Sequence, residues 1–195
     1  MTDKLKSFYD NLYKANPSVF GTSSLEFLKN VFQIACPLVG RALDVGAGEG
    51  LTSQYLAEQG FIVNAVDLSE CALTTIKQNK SVTVHICDIV QFEMKQSYSF
   101  VFIALVAHHL SEDTFHAMVR KIQNNTVTHG LHAYRLFTSN SDFFRQSSGS
   151  GFYDNGMALN ALYDQWKIVF DEKVIGNAAT QDAQNEIRHV VFQKL

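Results

Sequence analysis

The sequence predicts an α/β domain on a doubly wound, mostly parallel sheet of seven strands, with an antiparallel hairpin at its carboxyl end. Three observations predict it. Short, nearly continuous apolar runs alternate with segments of helical periodicity, the pattern of parallel strands covered on both faces. The first such run, Arg41-Ala42-Leu43-Asp44-Val45, passes into Gly46-Ala47-Gly48-Glu49-Gly50, a turn of alternate glycines opening a helix. The last two runs have only a polar connection between them, which fits a hairpin.

Taken in order, Lys4 to Tyr13 reads as a first helix. Ser23-x-x-Glu26 reads as a capping box ahead of Leu25, Leu28, Phe32 and Ala35, with that helix ending at Pro37. Arg41 to Val45 is the first strand, and Leu51, Tyr55 and Leu56 space a helix from Gly50 to Gln59 that Gly60 stops. Phe61 to Val66 makes a second strand ending at Asp67, followed by a weaker helix over Ser69 to Lys77. Val82 to Cys87 is a third strand, ending at Asp88, and Tyr98 to Leu105 a fourth. Ser111 caps a helix through about Asn124, and Leu131 to Phe137 is a fifth strand entered through Gly130. Trp166 to Val174 and Glu186 to Gln193 flank the polar connection Gly176 to Asn185. With no repeat, low-complexity tract or linker, residues 1–195 read as one domain. Thr138 to Gly156, rich in Ser, Asn, Asp and Gly, is the long irregular stretch. It reads either as a lid with a flexible Ser147–Gly151 centre or as a loop pinned by Phe143, Phe144, Phe152 and Tyr153.

Charge and composition exclude several classes. A net charge of -3 and a pI near 6.1 give no general pull toward nucleic acid. Cys36, Cys71 and Cys87 lack a C-x-x-C spacing and no charged-then-apolar leader precedes them, so they read as reduced core thiols in a cytoplasmic protein. The longest apolar run, Phe100 to Ala107, is far short of the roughly 18 residues a membrane helix needs, so no membrane partner is expected.

In an open parallel sheet, ligands lie beyond the carboxyl ends of the strands, and Asp44, Asp67 and Asp88 close or follow the first three strands. Asp67, 17 residues past Gly50, stands where a carboxylate can accept from both hydroxyls of a ribose; Asp67 and Asp88 also suit helix caps. The spacing Gly46-x-Gly48-x-Gly50 differs from the dinucleotide fingerprint G-x-G-x-x-G. With Asp44 two residues ahead, it resembles the acid-x-G-x-G-x-G signature of class I S-adenosylmethionine (SAM) methyltransferases, over about Arg41 to Phe137. It departs at Ser99, where many relatives carry an acid, and at Thr128-His129-Gly130, where a proline–glycine pair is common. The resemblance implies a Rossmann-like fold with SAM as cofactor. It places Asp44 near the amino end of the methionine moiety, Asp88 on the adenine amino group and Leu68 and Ile89 against the ring. Gly46, Ala47, Gly48, Gly50 and Leu105 complete the implied cofactor set.

A narrower resemblance lies outside that core. Phe8-Tyr9-Asp10-Asn11-Leu12-Tyr13, Phe20-Gly21-Thr22-Ser23 and Ala161-Leu162-Tyr163-Asp164-Gln165-Trp166 look like the bacterial tellurite-resistance methyltransferases, which methylate soft anions and thiols. It implies methyl transfer to a small-molecule acceptor, a tellurite- or selenite-type oxyanion or a thiol. The alternative is a SAM-binding regulatory protein without turnover. The helices within residues 1–37 would form part of the cover, although Tyr9 and Tyr13, four apart, equally suit a packing stripe. His108 and His109 follow the fourth strand, and His109 is the first candidate for a catalytic base or acceptor contact, with a packing role as the alternative. Histidines 108, 109, 116, 129 and 132 match no zinc spacing, so no metal is expected. Arg135, Arg145, Arg188 and His189 are the candidate charges for an anionic acceptor, the last two on opposite faces of a strand. Homodimerisation is left open.

Overall fold

Seven strands, β1 (Arg41–Val45), β2 (Ile62–Asp67), β3 (Val82–Ile86), β4 (Tyr98–Ala104), β5 (Thr126–Phe137), β6 (Trp166–Gly176) and β7 (Asn185–Lys194), form one sheet in the order β3-β2-β1-β4-β5-β7-β6. The computed structural model describes residues 2–74, 76, 79–147, 151–176 and 184–195. The strands from β3 to β5 run parallel, and β7 lies antiparallel between β5 and β6. The helices are α1 (Thr2–Ala15), α2 (Ser23–Ala35), α3 (Leu51–Glu58), α4 (Glu70–Leu73), α5 (Glu112–Asn124), α6 (Asp142–Gln146) and α7 (Ala158–Leu162), with a 3₁₀ turn at Ala107–His109. Because the chain runs outward from β1 to β3 and then returns to β4, the topological switch point falls between β1 and β4. Among the described residues no helix is long and apolar enough to cross a membrane.

The central strands read as unbroken apolar runs because both sheet faces are covered. On β4, Phe100 and Phe102 pack with Phe27, Leu28 and Val31 of α2 and Leu56 of α3. Val101 and Ile103 face Phe115, Met118 and Ile122 of α5 and Leu159 of α7. The edge strand β3 departs from this pattern: Thr83, Val84 and Ile86 are exposed.

Several expectations shift locally. Thr22, rather than Ser23, precedes α2; it bonds the Glu26 carboxylate by its side chain and caps no backbone amide. The weaker helix is only α4, capped by the Ser69 hydroxyl, and Thr75 and Lys77 of that stretch lie outside the described residues. Strand β5 begins at Thr126, ahead of Gly130, through a register shift opposite Tyr98 and Phe100. A Cβ on Gly130 would crowd the Val127 carbonyl at 2.9 Å, so the strand irregularity there needs glycine. Cys36 is exposed at the end of α2, and Cys71 and Cys87 are half-buried, so none is a fully buried core thiol.

The flanks of Thr138 to Gly156 are pinned rather than lid-like. Asp154 bonds the Phe137 and Ser139 backbones, Phe152 stacks on Phe115 with centroids 4.0 Å apart, and its amide donates to the Leu110 carbonyl. Ser148, Gly149 and Ser150, the centre expected to be flexible, lie outside the described residues. Arg188 of β7 donates to Asp154 at 3.0 Å and to Asp171 of β6 at 2.6 Å, tying this segment to the hairpin. Asp154 is 0 % exposed. We expect Arg188→Met to lower unfolding free energy by about 3–5 kcal/mol in urea titrations at pH 7, because it strands that carboxylate without its cation. A loss below about 1 kcal/mol would mean that the pair does not hold the segment.

Candidate active site

A cavity of about 840 Å³ opens at the carboxyl ends of the parallel strands, the place the switch-point rule assigns to ligands. Its floor is the turn between β1 and α3. The amides of Gly46 and Ala47 both donate to the Val66 carbonyl, at 2.8 and 3.1 Å, which lashes the turn to β2. Asp67, the last residue of β2, then accepts from the Gly48 amide on one carboxylate oxygen and from the Ser69 amide on the other, each at 2.8 Å. Burial pushes its carboxyl up from the usual range, with the Ser69, Gly48 and Leu68 amides opposing the shift.

Of the residues expected to touch a cofactor, Gly46, Ala47, Gly48, Asp67, Leu68, Asp88, Ile89 and Leu105 border this cavity. Leu105 does so with φ 55, an unusual backbone for a branched side chain. Asp44 and Gly50 do not border it. Asp44 is 1 % exposed and lies beneath the turn, accepting from the Thr52 and Ser53 hydroxyls at the start of α3. Burial pushes its carboxyl up to about 6 against those two bonds. Gly50 has φ 76, and a Cβ there would run into the Ile76 side chain, so packing explains this glycine. At Gly48 the added atom would lie 2.7 Å from the Tyr13 hydroxyl, so the missing side chain lets α1 approach the turn.

Helix α1 forms the opposite wall. Tyr9 shares a 2.7 Å hydrogen bond with His109 Nε2. Asp10 accepts from the Ser69 hydroxyl at 2.6 Å and the Cys71 amide at 3.3 Å, and its pairing with Lys6 holds its carboxyl below the usual range. Beyond α1, the amides of Phe20 and Val19 donate to Glu49 of the glycine turn. Asp10 was missed as a site residue from sequence, although it sits inside the quoted Phe8–Tyr13 motif; only the tertiary contact shows its role.

Of the two histidines of the 3₁₀ turn, His108 is buried and His109 half-buried, and both are neutral at pH 7. Burial lowers His109 to about 4; for His108, burial and then neighbouring His109 lower it to about 3. Of the four candidate charges for an anion, only Arg135 borders the cavity. Arg145 pairs with Asp142, Arg188 with Asp154 and Asp171, and His189 sits between Arg135 and Glu172. His132 is taken up in a buried network with Thr126 and Tyr163. Among the described residues no group of three or more His, Cys, Asp or Glu could hold a metal ion.

Comparison with known proteins adds the family. The family described as "Tellurite resistance protein TehB" matches residues 4–195. The chain belongs to the TehB family. A curated TehB-family relative, the probable S-adenosyl-L-methionine-dependent methyltransferase TehB of Haemophilus influenzae (strain 10810), is 24% identical over 107 residues, covering 52% of this chain and 37% of the relative. The chain thus spans well under half of that relative's length. The crystal structure of TehB from Haemophilus influenzae superposes with TM-score 0.71 at 18% identity over 87% of this chain and 62% of that one. The magnesium protoporphyrin IX methyltransferase ChlM from Synechocystis PCC 6803, solved with bound SAH, gives 0.74 at 12% identity over 100% and 99%. At such identities the superpositions establish the Rossmann-like class I methyltransferase fold.

Because the folded His109 takes up its proton only near pH 4, against an ordinary value near 6.5, its neutral state stabilises the fold fully above pH 6.5. That contribution is lost as pH falls from 6.5 toward 4. Long-range ¹H–¹⁵N NMR is expected to show His109 neutral at pH 5, and thermal melts to fall between pH 7 and 5. Asp44, raised to about 6, works in the opposite sense, so Asp44→Asn is expected to steepen the fall. A His109 midpoint above pH 6 would contradict this account.

Proposed function

We propose that the chain is a SAM-dependent methyltransferase acting on a small-molecule nucleophile. The observation that carries the reading is the Asp67 carboxylate, fixed by the Gly48 and Ser69 amides at the rim of the cavity beside Leu68, Asp88 and Ile89. Its two oxygens keep lone pairs free to accept from the hydroxyls of a ribose. Asp88 is within the same wall to accept from an adenine amino group, and Leu68 and Ile89 offer apolar faces to the ring. Gly46, Ala47, Gly48 and Leu105 would line the methionine portion, with Asp44 and Gly50 acting from beneath by shaping the turn.

SAM, when bound, would supply a methyl group on a sulfonium: a nucleophile's lone pair would bond in line to the methyl carbon and the carbon–sulfur bond would break, leaving the sulfur as the thioether of S-adenosylhomocysteine. The protein's part is alignment and exclusion of water. Tyr9, Tyr13 and Phe20, within ring contact of one another, close the cavity from the side of α1 and the connection that follows it. We assign the segment 1–37 to the cover on this basis. His109, neutral and bonded to Tyr9, suits positioning the acceptor better than removing a strongly held proton, since a base near 4 has little affinity for one at neutral pH. That favours acceptors already carrying a reactive lone pair, such as thiolates and tellurite- or selenite-type oxyanions.

Incubation with SAM and a panel of thiols, chalcogen oxyanions and amines is expected to release S-adenosylhomocysteine (SAH) with at least one of them, read by mass spectrometry. SAH binding without turnover on any acceptor would favour the regulatory alternative, and no binding of SAM or SAH at high micromolar concentration would contradict both. In calorimetry, Asp67→Ala is expected to weaken SAH binding by about 1–3 kcal/mol, the cost of unpaired buried polar groups. Unchanged affinity would remove Asp67 from the cofactor site.

A further inference from the structure

We propose that Arg135 and the uncapped amino end of α2 form an anion subsite in the cavity, which holds the carboxylate of an organic methyl acceptor. This rests on the methyltransferase reading above and names the acceptor's chemistry.

Arg135 is 4 % exposed, yet its hydrogen bonds go only to groups without charge. Its Nε donates to His189 Nε2 at 3.0 Å, and Nη1 donates to the hydroxyls of Ser23 and Ser24 at 3.1 and 2.6 Å. Among the described residues Nη2 has no hydrogen-bond partner. The nearby carboxylates stand back: Glu172 reaches only the far nitrogen of His189, at 3.1 Å, and Glu26 is engaged by Thr22. Glu26 favours the guanidinium charge only from a distance; a buried cation with no hydrogen-bonded carboxylate is costly, and this one borders the cavity. Burial lowers its pKa to about 10, so it still carries its charge at neutral pH.

The same wall carries a second positive element. Ser23, Ser24 and Leu25 open the 13-residue helix α2 and all border the cavity; among the described residues no side chain caps their amides. First-turn amides have no partner within their own helix and carry the positive end of its dipole. The Ser23 and Ser24 hydroxyls accept from Arg135, which leaves their own protons to donate. Nη2, two hydroxyls and the first-turn amides thus belong to residues on one stretch of the cavity wall, a donor set that suits two oxygens of an anion.

The surroundings select an organic anion. Phe102, Phe137, Phe143 and Ile187 border the cavity with Arg135. Strands β2 and β5 are three sheet positions apart, about 14 Å at normal strand spacing, so a nucleoside held at Asp67 leaves the Arg135 end free. Of the acceptors named above, an oxyanion of a few atoms would leave that apolar wall unfilled, whereas an apolar thiol that bears one carboxylate would fill it and pair the guanidinium.

The test uses the full chain, with and without SAH, and titrates benzoate, phenylacetate and 4-methylvalerate against their primary amides and selenite by calorimetry. At least one carboxylate is expected to bind about tenfold or more tightly than its amide. Arg135→Gln is expected to abolish that preference, Arg135→Lys to retain part of it, and both to keep SAH affinity within about twofold. Equal binding of acid and amide, binding of selenite but no carboxylate, no binding by any probe, or a preference that survives Arg135→Gln would each overturn the proposal. The acid–amide comparison in the unaltered protein decides the matter even if the variants fail to fold. Loss of SAH binding alone, with the carboxylate preference intact, would overturn the cofactor reading and leave the subsite standing.

Discussion

The pair of backbone amides that Asp67 accepts is the constraint on which the site depends. Gly48 belongs to the turn after β1, and Ser69 begins the connection after β2, so one carboxylate fixes two loops that would otherwise be independent. The Ser69 hydroxyl passes the constraint on by donating to Asp10 of α1. A continuous path of short polar contacts therefore links floor, rim and cover, and charged groups make it stronger than neutral bonds would. The path needs glycine at position 48, because a side chain there would meet Tyr13 from the cover.

The cavity is electrostatically divided along the sheet. At the β2 and β3 end stand Asp67 and Asp88, with no lysine or arginine among the described residues of the wall there; at the β5 end stands Arg135, and the histidines between them are held neutral by burial. Carboxylates suit polar hydroxyls and amino groups, and they repel a negative ligand. A cation at the other end attracts one. The polarity thus favours a molecule rich in hydrogen-bond donors at one end and an anion at the other, which is the order that methyl transfer between two bound partners requires.

Much of this was legible in the sequence because the decisive patterns are local. Phe100 to Ala104 reads as a buried strand since both of its faces are covered, and the acids at strand ends follow from where a parallel sheet exposes its carboxyl termini. Long-range partners are what hid the rest. Ser23 looks like a cap from its neighbours, yet its hydroxyl serves Arg135, 112 residues away. Gly50 belongs to a ligand motif by spacing, but its constraint comes from Ile76. Phe152 and Tyr153 read equally as lid or packing residues until Phe115 and the Arg188–Asp154 pair hold their segment in the core. Arg135 could be named as a candidate cation from composition, while the fact that no carboxylate among the described residues hydrogen-bonds it is a property of the fold.

The most direct measurement is a crystal structure of the protein with SAH. The account predicts the ribose hydroxyls within hydrogen-bond distance of the Asp67 carboxylate, the adenine against Leu68 and Ile89, and the thioether directed toward His109 and the Arg135 end. SAH bound with its ribose away from Asp67, or lodged outside the cavity, would contradict it.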